Sequence, residues 1–349
     1  MTPITPPHLD GREPVTSRRG QFWIPGERLG TPGGTVPRGP MFVQWEAPVP
    51  VTRPYPIVLV HGGGGQGTDW MGTPDGRPGW ADMLVAAGYA VYVVDRVGHG
   101  RSPHHPDVLG AMGDPFTYEN AQGLFVGAEE RPQWPGRRGI GDPVLDQVLS
   151  ATGPMSADLG AAQLLDAERL SRLLDVTGPA VVMTHSMGGP AGWLLTDARP
   201  EMVRALVAVE PVGPAFSPAF GPALTYGLAG APLTYDPPVS SPDDFRLVRT
   251  PSAVDGLPPT TVQEEPARRL PRLAGVPIVL VSAGASLFEH FNDGTLAFLR
   301  QAGVPAERLH LPDHGVEGNG HAMMFERNSA EALQPILRWL EDRVPAGEG

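Results

Sequence analysis

Two side chains are missing from these 349 residues: there is no cysteine, and because all 26 basic residues are arginine there is no lysine. Without thiols the chain forms no disulfide, holds no thiolate zinc and carries no cysteine nucleophile, and its redox compartment goes unmarked. Without lysine, Schiff-base chemistry and a phosphate-loop lysine are excluded; GC-rich codon usage, rather than a functional cause, is the expected source of the gap. Positive charge is scarce as well. The net charge is −12 with no basic run, so the electrostatic footprint of a nucleic-acid partner is missing. No window approaches the roughly 18 apolar residues of a membrane span. Residues 1–20 are polar and proline-rich with no apolar core, so no signal peptide is visible. The cytoplasm is the default expectation, and a secreted or periplasmic chain trimmed of its leader would read the same.

Glycine (45) and proline (42) make up about a quarter of the chain, a range where disorder becomes a concern. A hydrophobic content of 41% in recurring Val/Ile/Leu runs instead places that excess in long loops. The β-branched runs at 57–60, 90–95, 180–184, 205–209, 277–282 and 308–311 alternate with helical stretches, the pattern of a mostly parallel sheet covered on both faces. Residues 21–24 and 41–45 read as an antiparallel pair leading into it. Helices are expected at 80–87, closed by Gly88, and along a stripe of Leu164, Ala167, Leu170 and Leu174 before Gly178. A last helix at 330–343 contains Pro335, which calls for a late start or a kink. Residues 103–156 and 213–273 break the alternation, and loops of that length are usually lids or binding elements. The expectation is an α/β fold of one domain, 1–349, with a flexible N-terminus at 1–20 and two lid excursions.

Chemistry gathers where strands end. Thr184-His185-Ser186-Met187-Gly188-Gly189 follows a buried run, and a sharp strand-to-helix turn there would lift the Ser186 hydroxyl clear of the sheet. The usual pattern is G-x-S-x-G; Gly188 matches, while Thr184 stands at the first small position. An isolated S-x-G is common, so the strand before it is what makes Ser186 the candidate nucleophile. His61-Gly62-Gly63-Gly64-Gly65 ends another strand. An acyl-transfer oxyanion needs two backbone N–H groups, and Gly63 with Met187 are the candidates. The same glycines could form a plain turn or a phosphate cradle, but a cradle needs an immediate helix with lysine or acidic partners. His321, after the last strand, is the candidate general base, with His314 as the alternative. His61, His99 and His185 sit beside glycine turns, where structural roles are expected. The His104-His105 pair has no carboxylate and histidine cluster to complete a metal site, so neither a metal nor an organic cofactor is expected.

The acid is the informative member. The loop after 277–282 reads Ala283-Gly284-Ala285-Ser286, with no carboxylate until Glu289 and Asp293. One strand earlier, Glu210 closes an apolar run, and a glutamate there is costly to bury without a cationic or hydrogen-bonding partner. An imidazole that becomes imidazolium is such a partner. Glu210 is the preferred acid, with Asp293 or Glu289 left open.

With these motifs in view, the chain resembles the atypical bacterial esterases of the α/β-hydrolase superfamily whose triad acid is a glutamate after the sixth strand. The resemblance covers 21–341. It is carried by His61-Gly62, TPDGRPGW at 73–80, DRVGHGRS at 95–102, THSMGG at 184–189, VAVEP at 207–211 and GVEGNGHAMM at 315–324. It implies Ser186 as nucleophile, His321 as base, Glu210 as acid, and Gly63 and Met187 as oxyanion donors. Some relatives place paired cysteines in the oxyanion loop; Gly63-Gly64 here predicts a more mobile one.

The function expected is a serine carboxylic ester hydrolase working through an acyl-enzyme, on a small-molecule or polymeric ester. A lactonase, thioesterase, amidase or polyester hydrolase could use the same site. The alternative of another class, a non-catalytic hydrolase-fold binding protein, usually lacks a triad member. Partners reduce to the substrate, with a homodimer left open. Phe116, Tyr118, Phe125, Trp134 and Tyr226 are candidate pocket aromatics, or they simply pack the excursions onto the body.

Overall fold

The computed structural model describes residues 15–127, 132–251 and 259–345. The first 14 residues and short pieces of both expected excursions (128–131 and 252–258) therefore lie outside the described residues.

Six strands form the parallel body: β5 (Ile57–Val60), β6 (Val91–Asp95), β7 (Ala180–His185), β8 (Val203–Val209), β11 (Ile278–Ser282) and β12 (Glu307–His310). Every residue of β5, β7 and β11 is buried, as expected for strands covered on both faces. β1 (Ser17–Ile24) and β4 (Met41–Pro48) pair antiparallel, and β4 docks antiparallel on β6. The spatial order is β1-β4-β6-β5-β7-β8-β11-β12. Between β1 and β4 the structure adds an exposed hairpin, β2 (Glu27–Thr31) and β3 (Gly34–Arg38), which no hydrophobic alternation announces.

The helices are α1 (Thr68–Met71), α2 (Trp80–Ala86), α3 (Pro106–Leu109), α4 (Tyr118–Ala121), α5 (Pro143–Ser150), α6 (Leu159–Thr177), α7 (Gly189–Ala198), α8 (Phe288–Gln301) and α9 (Ser329–Arg343). Alternate strand residues feed two cores. Val58, Val60 and Val182 pack with α6, α7 and part of α8 on one face. Ile57, Leu59, Val181 and Met183 pack with α2, α5 and α9 on the other.

Helix α9 spans Ser329–Arg343 with Pro335 inside it, which sets aside the late start. Two expectations change. In α6 Ala167, Leu170 and Leu174 of the apolar stripe are buried, but Leu164 is exposed and the buried face widens to take in Gln163, Asp166 and Arg169. Those polar groups are satisfied, Asp166 by Arg96 and Arg169 by Glu27, so the face need not be apolar. The excursions also contain regular pieces. The first holds α3, α4, a π turn at Gln122–Val126 and α5. The second holds short 3₁₀ turns and a hairpin, β9 (Leu247–Thr250) with β10 (Thr260–Gln263).

Candidate active site

Strand β7 ends at His185, and Ser186 opens a 3₁₀ turn that passes into α7 at Gly189. Ser186 has φ +51°, a left-handed conformation costing a non-glycine residue about 1–3 kcal/mol. The turn closes only because its neighbours are small: a Cβ on Gly188 would lie 2.5 Å from the His61 carbonyl oxygen. Thr184, the departure from the usual pattern, is also accounted for. A Cβ on Gly192 of α7 would lie 2.7 Å from Thr184 Cγ2, so the helix supplies the clearance that a glycine at 184 would give.

Strands β7 and β8 pair with His185 opposite Val209, so Ser186 and Glu210 leave neighbouring strands at one level. Glu210 also takes a positive φ, +43°. The loop after β12 brings His321 between them. His321 Nε2 lies 2.9 Å from Ser186 Oγ, and its Nδ1 lies 2.9 Å from Glu210 Oε2. Glu210 and His321 are buried and Ser186 nearly so. Two further groups donate to the carboxylate: the Ala283 backbone N–H to Oε1 (2.8 Å) and Ser286 Oγ to Oε2 (2.5 Å). Sequence reasoning passed over Ser286, because the 283–286 loop was read only for the carboxylate it lacks.

The alternatives lie elsewhere. Asp293 and Glu289 face Arg308, and Glu289 also meets His310. His314 is exposed, in the turn after β12.

The imidazole of His321 is held from several sides. The Phe288 ring stacks on it at 3.8 Å between centroids, and Phe125 lies nearly parallel at 6.3 Å. His185 Nε2–H donates to the His321 carbonyl at 2.9 Å. Burial, with His321 beside it, holds His185 well below the usual histidine range, so it serves as a neutral donor.

The glycine loop rests on a buried polar cluster. The Arg96 backbone N–H donates to His61 Nε2 (2.8 Å), which leaves the hydrogen of the neutral ring on Nδ1, 2.9 Å from the Gly62 carbonyl. Burial and its charged and histidine neighbours keep His61 neutral. Arg96 Nη1 reaches the same carbonyl at 3.3 Å while its Nε bonds Asp166 at 2.8 Å. Gly62 C=O and Gly63 N–H belong to one planar peptide unit, so fixing the carbonyl fixes the direction of the N–H.

The expectation of a loose loop does not match these contacts. Gly153 N–H donates to Gly64 O (2.7 Å), and Gln66 Nε2 donates to Ala151 O (2.8 Å). A Cβ at Gly63 would lie 2.7 Å from Met155 Sδ, and one at Gly64 2.4 Å from Gly153 O. The first excursion fills the space that side chains would need.

Ser186, His321, Gly63 and Met187 open on a cavity of about 230 Å³. Phe116 and Phe125 line it as anticipated, joined by Leu124, Phe220, Phe288 and Phe325. The other three candidate aromatics do not reach it. Tyr118 OH donates to Asp146 and Trp134 Nε1 to Asp142, while Tyr226 packs against the core on the α6 face. Among the described residues no three histidine or carboxylate side chains are grouped to hold a metal ion; His105 instead caps α3. No helix among them is long and apolar enough to cross a membrane.

Residues 55–232 match the family described as alpha/beta hydrolase fold. A protein of a fungal species (strain ATCC 74256), named "Probable secreted lipase phiG", is 35% identical over 319 residues, 88% of each chain. A solved structure described as a novel bacterial esterase superposes with a TM-score of 0.64 at 22% identity, covering 98% of this chain and 99% of that one. At that identity the likeness is one of fold.

Proposed function

This chain belongs to the α/β-hydrolase family, among its esterase- and lipase-type hydrolases, and from that premise we propose that it is a serine carboxylic ester hydrolase working through an acyl-enzyme. The observation that carries the reading is the unbroken hydrogen-bond chain Ser186–His321–Glu210, set in the wall of an apolar cavity.

With Nδ1–H of His321 donated to Glu210, Nε2 accepts the Ser186 proton as Oγ attacks the ester carbonyl. The negative charge that develops on the carbonyl oxygen meets the N–H groups of Gly63 and Met187, each donor being worth roughly 3 kcal/mol of barrier. Collapse breaks the bond to the alcohol, which leaves with the proton from Nε2. Water then enters, gives its proton to Nε2, and attacks the acyl-enzyme; the proton returns to Ser186 Oγ as the acid departs.

Glu210 stays ionised and stabilises the imidazolium, its charge spread over the hydrogen bonds from Ala283 and Ser286. Phe288 covers one face of the imidazole. His61 and Arg96, acting through the Gly62 carbonyl, are positioning residues for the Gly63 N–H.

A fluorophosphonate probe tests the reading. It should label Ser186 stoichiometrically, and Ser186→Ala should lose both labelling and turnover of 4-nitrophenyl butyrate with its melting temperature retained. Turnover that survives in Ser186→Ala would overturn it.

A further inference from the structure

Asp69 stands between two cavities. The one at Ser186 holds about 230 Å³, and beside it opens a wider one of about 370 Å³; Asp69, Val148 and Phe325 line both. Their walls differ in character. Around Ser186 they are mostly phenylalanine and aliphatic side chains, whereas the second cavity sets Thr68, Asp69, Thr73 and Gln147 among Met71, Val148, Ala151 and Phe325.

Asp69 is the one carboxyl lining the Ser186 cavity among the described residues, and its place is built into the glycine loop. A Cβ at Gly65 would fall 2.1 Å from Asp69 Oδ2, so glycine there gives the carboxyl its seat. Burial, with Asp95 nearby, raises Asp69 to about 7. At neutral pH it can therefore accept a hydrogen bond from a hydroxyl, or donate one.

We infer that the second cavity is the subsite for the alcohol part of the ester, and that it takes alcohols bearing further hydroxyl groups, of the glycerol type, joined to an apolar acyl group. This rests on the acyl-enzyme reading above, which also sets the orientation. The acyl group stays bonded to Ser186 through both steps, so it occupies the more enclosed, phenylalanine-lined space, where burial of apolar surface is favourable. The alcohol leaves first, through the wider cavity. Its hydroxyls exchange water for Asp69, Thr68 and Gln147, a match that a simple alkyl alcohol cannot make.

The test compares glyceryl monobutyrate with ethyl butyrate, two esters that give the same butyryl-enzyme. The wild type should favour the glyceryl ester about tenfold in kcat/KM, mainly through KM, the size of one good hydrogen bond. Asp69→Leu and, at the exposed far wall, Gln147→Ala should each bring that ratio toward one. The ratio within a single protein sample does not depend on how much of the sample is folded. A wild type without preference, or a ratio that survives Asp69→Leu, overturns the subsite.

A second measurement uses the same site in reverse. With 4-nitrophenyl butyrate as donor, glycerol should intercept the acyl-enzyme. The Ser186 Oγ–acyl bond breaks, a glycerol oxygen–acyl bond forms, and the glycerol proton passes through His321 to Ser186 Oγ. The yield of glyceryl butyrate should saturate with glycerol; a linear rise parallel to that with 1-propanol overturns the inference. Fluorophosphonate labelling separates the two readings. Labelling without glycerol preference condemns the subsite alone, whereas no labelling and no ester turnover condemns the hydrolase reading beneath it.

Discussion

Ser286 donates its hydroxyl hydrogen to Oε2 of Glu210, the same carboxylate oxygen that faces His321 Nδ1. The strand-end glutamate is therefore met by the 283–286 loop, which carries no carboxylate of its own. Here that loop holds the Glu210 carboxylate in place. The Ala283 N–H on the other oxygen completes the grip.

Glu210→Gln should lower kcat on 4-nitrophenyl butyrate by roughly three to four orders of magnitude, since an amide neither fixes the tautomer nor offsets the imidazolium charge. Asp293→Asn, at an exposed partner of Arg308, should stay within about twofold of wild type. Steady-state kinetics of the pair decides the acid, and the reverse ranking would move it. Ser286→Ala should fall between them, about tenfold down, through loss of one hydrogen bond to a charged group.

The buried Arg96–Asp166 pair gives a prediction that separates stability from rate. Asp166→Asn leaves the Arg96 charge buried and uncompensated, which costs about 3–5 kcal/mol in comparable sites. The double variant Arg96→Met with Asp166→Leu should recover much of that stability by urea unfolding. It should not recover kcat, because the Gly62 carbonyl has lost the Arg96 donor. Full recovery of kcat with KM unchanged would mean that the pair is structural only.

Gly63→Ala places a methyl 2.7 Å from Met155 Sδ and 2.9 Å from Met187 Cγ. The expected result is a fall in kcat of about 10–100-fold with KM little altered, as when an oxyanion donor is displaced. Met155 can be trimmed, so Gly63→Ala with Met155→Ala should regain part of the rate. If the double variant is no better than the single, steric displacement is not the cause.

Acid should destabilise the fold early. His61 and His185 are held well below their usual range, and His99 is lowered to about 4, in each case first by burial. Unfolded, all three titrate near about 6.5. The unfolded chain thus binds more protons below that pH, and the stability these rings contribute is complete above it and lost as the pH falls. Each is worth up to about 1.4 kcal/mol per pH unit. Asp69, raised to about 7, works in the opposite sense, since what it contributes is lost as the pH rises through 7. Asp197, also raised by burial, acts likewise. A net one to two protons remain, a slope of about 1.4–2.7 kcal/mol per pH unit between roughly pH 5 and 6. Urea unfolding at pH 7, 6 and 5 measures it, and a flat profile would refute the assignment of neutral buried rings.

The sheet was legible because apolar runs such as Ile57–Val60 and Ile278–Ser282 leave little choice between strand and solvent. The three residues brought into one hydrogen-bonded chain were legible because each sits at a strand end or in the loop beyond it. The hairpin at Glu27–Arg38 was not, since its residues alternate neither in polarity nor in burial. Nor was the polar part of α6's buried face, because the partners that satisfy Asp166 and Arg169 lie 70 and 142 residues away in the chain. In the excursions a phenylalanine looks the same whether it lines a cavity or plugs a gap. Phe125 and Phe220 reach the cavity while Trp134 is spent on Asp142, and only the path of the chain separates them.

The pairing of His185 with Val209 has a last consequence, for redesign. It fixes the separation of Ser186 and Glu210 by sheet geometry alone, and His321 comes from the loop beyond β12, at the same sheet's edge. None of the three is borrowed from the excursions, which instead furnish Phe116, Phe125, Met155 and Phe220. The excursions thus shape only part of the cavity, since Asp69, Phe288 and Phe325 come from the body. If the proposed function holds, exchanging segments spanning 103–156 or 213–273 should reshape that part of the cavity, provided that the clamp of Gly153 on Gly64 is kept.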